Sequence, residues 1–158
     1  MLDTTQLIVK LFFDSSVLVP VFYADHHHHD PSAKAFLSAS RQHSFCALHT
    51  LAEVYATLTG LPVRPRISGA EGLATVKQIQ RRLTLIPLTE EEYISANSIS
   101  RIVVGGGVYD ALIAHCAVKA EADILLTWNV RDFTRIGPDI ARMVKTPFDF
   151  FAEGLNAR

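Results

Sequence analysis

Four acidic residues stand at or near the ends of apolar runs in this chain. Asp14 closes LIVKLFFDSS at 7–16, and Glu53 lies in HTLAEVYATLTG at 49–60. Asp110 leads GVYDALIAHCAVKAEAD at 107–123, and Asp132 lies in ILLTWNVRDF at 124–133. A buried run rarely ends in a carboxylate without a partner, because an unpaired charge is costly to desolvate. Carboxylates that converge on one point repel each other and so imply a cation. All-oxygen ligation suits Mg²⁺ or Mn²⁺. A divalent ion held this way can activate water against a phosphodiester.

The elements that must position these acids follow from patterning. Residues 8–13 read as a buried strand, and Ser15 or Ser16 offers a cap for a helix over 17–23. Asp30-Pro31 opens a helix over 31–40. Residues 44–47 form a short strand. Thr50 and Glu53 have capping-box spacing, which starts a helix over 50–58 that Gly60 ends. Residues 61–67 are a loop. Ser68-x-x-Glu71 repeats the capping signature and opens a helix to about Leu83, followed by a strand at 85–88. Thr89-x-x-Glu92 caps another helix, ending near Val103. After the break at Gly105–Gly107 come a helix over 109–120, a strand at 124–127 and a last strand near 143–146. Strands alternating with helices predict an α/β fold with a parallel sheet covered on both faces. Ligands in such folds bind outside the carboxyl ends of the strands.

Composition narrows the function classes. The chain has 158 residues, one domain's worth, with 49% hydrophobic and 20% charged residues. Its net charge of −1 argues against a passive nucleic-acid binder, which needs phosphate neutralisation. It counts less against a metal nuclease, whose ion supplies positive charge locally. Cys46 and Cys116 read as buried free thiols in apolar contexts. Residues 1–13 lack a basic start and a small-residue cleavage site, and no run approaches a membrane span. A soluble cytoplasmic protein is expected.

The segments FFDSSVLV, LAEVYATL, YDALIAHCAV and LLTWNVRDF, in this order, resemble the PIN-domain ribonucleases, and most of all the VapC-type toxins of prokaryotic toxin–antitoxin pairs. The likeness runs from about 7 to 148 and treats 1–158 as a single domain. It implies a three-layer α/β/α domain with a five-stranded parallel sheet. It also implies Mg²⁺- or Mn²⁺-dependent RNA cleavage, a homodimer and a small antitoxin partner. The first three acids of the family pattern fall on Asp14, Glu53 and Asp110. The fourth lies in the segment holding Thr127, Asn129 and Asp132; with Asn at 129, Asp132 is the acid left. The hydroxyl residue after the first acid matches Ser15 or Ser16.

Each feature also has a plainer structural explanation. Asp14 could be a strand-end turn residue, and Asp110 could favour a helix N-terminus. A capping box with Thr50 accounts for Glu53, and Asp132 could pair with Arg131 or Arg135. His26–His29 read as a solvated loop, since consecutive residues do not converge on one ion. His115 reads as a core histidine. Trp128 and Arg131 flank the acidic edge, where Trp128 could stack with RNA or simply pack. Two other function classes stand beside the nuclease. One is a catalytically silent interaction protein of the same fold. The other is a phosphoryl-transfer or receiver-type domain with Asp14 as phospho-acceptor, although a DxD phosphatase needs a second Asp where Ser16 stands. A natural inhibitor is expected to place an Arg in the acidic cluster, because its planar fork suits carboxylates. The helices at 31–40 and 68–83 are expected to offer grooves for a partner helix.

Overall fold

The protein is described by a computed structural model covering residues 8–99 and 105–156. Residues 1–7 of the N-terminal stretch and the expected helix end near Val103 lie outside the described residues.

Strand β1 (Leu11–Phe13) is followed by α1 (Ser15–Val21), α2 (His29–Ser38) and β2 (Ser44–Ala47). Then come α3 (Thr50–Gly60), α4 (Gly69–Arg82), β3 (Thr84–Ile86), α5 (Glu90–Ile99) and α6 (Gly107–Lys119). The chain continues through β4 (Ile124–Leu126), α7 (Val130–Thr134), α8 (Pro138–Met143), β5 (Val144–Lys145) and α9 (Pro147–Asn156). The five strands form one sheet in the order β3-β2-β1-β4-β5, and every pair is parallel. The expected five-stranded parallel architecture is therefore the observed one.

The two-residue period of the strands divides the core between the two faces of the sheet. Leu11 and Phe13 point to one face, where they pack with Val17, Phe36, Val54, Leu58 and Ile79 from α1 to α4. Phe12 points to the other and meets Ile113, Ala114, Phe133 and Ile140 from α6 to α8. Phe12, Phe13 and Phe133 are fully buried, each contributing on the order of 2 kcal/mol. The apolar length of α6 is explained by this burial, since Ala111–Ala114, Cys116 and Ala117 are all inside. Cys46 and Cys116 are buried free thiols, pushed up to about 12 by burial.

Some element boundaries depart from the sequence expectation. Strand β1 starts at Leu11; Ile8 and Val9 are apolar but exposed, because no neighbouring strand covers them. The capping box of α4 forms between Ser68 and Glu71. Thr89 and Glu92 exchange the same pair of bonds, at 3.2 and 3.0 Å. The box expected at Thr50 does not form. Helix α3 begins on Thr50 itself, with His49 in the cap position and no side-chain cap. The Thr50 hydroxyl is buried without a partner. Helix α1 is likewise capped by position at Asp14 and not by a serine. Helices α7, α8 and α9 were not expected. Thr146 caps α9 by accepting from the Asp149 amide at 3.0 Å, and Phe150 and Phe151 then pack onto the α1–α4 face. His115 is half-buried beside Glu92, at the rim and not in the core.

Candidate active site

Strand order reverses at β1: β2 and β3 lie to one side, β4 and β5 to the other. The crevice at such a switch, outside the strand carboxyl ends, is where open α/β sheets bind ligands. Register places Asp14 and Thr127 there. Phe13 pairs with Leu126, so the next residue of each strand emerges beside the other. The Asp14 amide donates to the Leu126 carbonyl at 3.0 Å.

Asp14 is 1% exposed and held by hydroxyls. Thr127 Oγ1 and Ser16 Oγ each donate to Asp14 Oδ2 at 2.7 Å. Burial nevertheless pushes its carboxyl up, against the lowering effect of Ser16, Thr127 and the Ser15 and Ser16 amides. Ser16 Oγ also accepts from the Trp128 amide at 3.0 Å, and Thr127 Oγ1 accepts from the Asn129 amide at 2.9 Å. The first acid and the loop after β4 are thus one hydrogen-bonded unit.

Glu53 projects from the first turn of α3 towards the same point. Ser15 Oγ lies 3.4 Å from Asp14 Oδ1 and 3.2 Å from Glu53 Oε2, linking the two carboxylates. The second oxygen, Glu53 Oε1, is buried without a hydrogen bond. His49 Nε2 is 3.6 Å away, too long for one, and burial lowers the His49 pKa, so the contact is not an ion pair at neutral pH. Burial and the Asp14 charge push Glu53 up. The failure of the Thr50 capping box removes the plainer explanation for Glu53, whose carboxylate instead turns to Ser15.

Asp110 sits in the first turn of α6, after a turn that requires positive φ at Gly105 (71°). Its carboxyl is pushed up to about 7, first by burial and then by the charges of Asp14, Asp132 and Glu53. With Asp110 itself, these three neighbours complete the four sequence-flagged acids, brought within electrostatic reach from four separate parts of the chain. Asp132, on α7, is the most open of them and exposed to solvent. Among the described residues no three His, Cys, Asp or Glu side chains stand at ligand spacing around one point. The acids share a field and not yet a coordination sphere.

The donor set fits a hard divalent ion. It is all oxygen, it crowds negative charge, and it includes a buried carboxylate oxygen with nothing to bond. Asp14, Glu53, Asp110 and Asp132 are the residues that would hold such an ion.

Sequence reading missed two things here. Thr127, named in the sequence only as part of the fourth-acid segment, is fully buried and serves as a partner of Asp14. The run expected to be a solvated loop is so only in part: His27 is exposed, but His28 stacks on Trp128 with ring centroids 3.7 Å apart and 2° between planes. A neighbouring aromatic from a distant part of the chain, invisible in local sequence, holds His28 down.

The sequence model for the PIN domain matches residues 11–137. Ribonuclease VapC27 of Mycobacterium tuberculosis is 29% identical over 114 residues, which is 72% of this chain and 81% of that protein. Among solved structures, Mycobacterium tuberculosis VapC20, described as a sarcin-ricin loop cleaving toxin, is similar with a TM-score of 0.61. It shares 14% identity and covers 73% of this chain and 87% of its own. A chain of VapBC2 from Rickettsia felis, bound to a DNA fragment from their promoter, has a TM-score of 0.59 at 15% identity. That match covers 87% of this chain and 98% of the other. At such identities the structural likenesses establish the fold.

Proposed function

Because the chain belongs to the PIN-domain family, we propose that it is an Mg²⁺- or Mn²⁺-dependent endoribonuclease, the toxin of a toxin–antitoxin pair, working as a single unit over 1–158. The observation that carries this reading is the common field of Asp14, Glu53, Asp110 and Asp132 at the switch-point crevice. The ribonuclease name of the VapC27 relative supports the substrate class.

The chemistry such an ion supplies when bound is Lewis-acid activation of water and of a phosphodiester. The chain's own residues prepare for it. Thr127 and Ser16 hold Asp14 in one rotamer, so its carboxylate is preorganised. Ser15 turns Glu53 towards Asp14. Asp110 and Asp132 close the opposite side from α6 and α7. Asp132 is the solvent-exposed member of the set.

Partner binding follows from charge and shape. The net charge of −1 conceals an acidic edge that repels RNA until it is neutralised. An inhibitor's Arg would neutralise it in place of metal. A groove of about 530 Å³ between α2 and α4, with Phe36 and Leu37 along it and Arg81 and Arg82 at its rim, receives an amphipathic helix of the antitoxin. Exposed Tyr93 and Ile94 of α5 and Tyr109 of the adjoining α6 are the apolar residues assigned to contact with a second copy in the homodimer. No helix among the described residues is long and apolar enough to cross a membrane.

The test is cleavage of RNA by the purified chain with Mn²⁺, with EDTA and with Asp14→Asn. Cleavage that needs Mn²⁺ and Asp14 is expected. A wild-type protein that leaves RNA intact under metal, or an Asp14→Asn variant as active as wild type, overturns the reading and favours the silent interaction protein.

A further inference from the structure

Three of the four consecutive histidines, His26–His28, line a cleft that also reaches Ser15 and Ser16, the hydroxyl partners of Asp14. That cleft, of about 410 Å³, has Ser15, Ser16 and Asn129 on one side and His27, His28 and Trp128 on the other. Ser16 belongs to both halves, since its hydroxyl donates to Asp14 and accepts from the Trp128 amide.

The histidine wall is built and not merely exposed. Trp128 packs its ring on the α1–α4 core, and its Nε1 donates to Ser32 Oγ at 2.9 Å. His28 lies flat on the ring's outer face. His27 follows at 3.9 Å from His28, tilted by 46°, and His26 stacks on His27 at 4.6 Å with 16° between planes. The backbone under the rings is pinned. The His28 amide donates to His26 Nδ1 at 3.0 Å, and His29 Nδ1 lies 2.7 Å from the Pro20 carbonyl. The base of the stack is therefore rigid while the His27 ring stays open to solvent. A half-buried indole with His28 flat on it and His26 and His27 clustered over His28 presents aromatic surface beside Ser15 and Ser16, the hydroxyl partners of Asp14. Unstacked nucleobases are bound by such surfaces, including histidine.

We propose that the exposed His27 ring, supported by His28 and Trp128, forms a stacking platform for a nucleobase of single-stranded RNA next to the phosphate that is cut. This rests on the nuclease reading above for its substrate and adds a positioning role to residues outside the acidic cluster. A stacked base fixes the strand's direction across the crevice and brings one phosphate to the Asp14 side. Stacking is tolerant of base identity, so the platform sets where the strand lies more than which sequence it carries.

Trp128 is the chain's single tryptophan, so its emission reports on the stack directly. The experiment titrates a short single-stranded RNA into the full chain with Ca²⁺, which neutralises the acidic edge and is a weaker Lewis acid than Mn²⁺, and follows Trp128 fluorescence. The same RNA with single abasic positions is then compared, and KM and kcat are measured with Mn²⁺. RNA should change the Trp128 emission, and one abasic position should weaken binding about tenfold. His27→Ala should weaken binding similarly and raise KM with little effect on kcat, and the abasic site should cost that variant nothing more. His28→Phe should keep the binding that His28→Ala loses, which separates stacking from any folding defect. Unchanged emission on adding RNA overturns the platform, as does an abasic penalty that persists in full in His27→Ala. An emission change without cleavage under metal overturns the nuclease reading and leaves the platform standing.

Discussion

Replacing Asp110 by asparagine should make the metal-free protein more stable at alkaline pH while abolishing its response to metal. Burial and the charges of Asp14, Asp132 and Glu53 raise the Asp110 carboxyl from 3.8 to about 7. The folded state thus holds this proton more tightly than the unfolded chain does. The resulting stabilisation is complete below pH 3.8 and is lost as pH rises through about 7. At pH 8 the repulsion stands in full as a cost of folding. For a fully desolvated group the displacement corresponds to roughly 4 kcal/mol. Asp110 is only half-buried, so water screens it, and ~2 kcal/mol is the appropriate magnitude. In a chain of this length that moves Tm by about 4–8 °C. Thermal unfolding followed by circular dichroism in EDTA reads it out. Asp110→Asn should melt above wild type by that margin at pH 8, with the gap narrowing towards pH 5. With Mn²⁺ the order should reverse, because wild type gains and the variant does not. Equal melting at pH 8, or a gap of the same size at both pH values, refutes the crowding of charge at this site.

Ser15→Ala removes the hydroxyl between Asp14 and Glu53; RNA cleavage or Mn²⁺ affinity should fall about 10–100-fold with little loss of stability, measured by kinetics and calorimetry. Thr127→Val leaves Asp14 Oδ2 short of a buried donor; chemical denaturation should show a loss of about 1–3 kcal/mol. Gly72→Ala sets a methyl 2.8 Å from Thr59 Cγ2 and 2.9 Å from the Tyr55 ring; the α3–α4 packing should lose about 1–3 kcal/mol, seen as a lower Tm with activity per folded molecule retained.

Much of this protein is legible in its sequence because local physics and global fold agree there. The spacing of apolar runs gave the alternation of strands and helices, and the capping pairs Ser68–Glu71 and Thr89–Glu92 form as their chemistry requires. The four acids were visible because each interrupts an apolar run at a point where burial makes an isolated charge costly. Helices α7 and α8 were not visible. They are too short to show a period and owe their form to Phe133 and Ile140 packing against the sheet. Helix α9 did carry a signal, Thr146-Pro147 with Asp149 in its first turn, of the kind that marks an N-terminus.

The sequence by itself determined which residues carry charge, which segments must be buried and therefore that carboxylates end at a sheet edge. Only the tertiary structure decided how they meet. Strand order put β4 beside β1, and register then placed Thr127 against Asp14 across 113 positions of chain. The same packing denied Thr50 its capping role and freed Glu53 to reach Ser15. It also brought Trp128 under His28, turning a polar run into part of the cleft. Hydrophobic patterning is read residue by residue along the chain. Hydrogen bonds and ring stacks between distant segments depend on strand pairing, which local sequence does not encode.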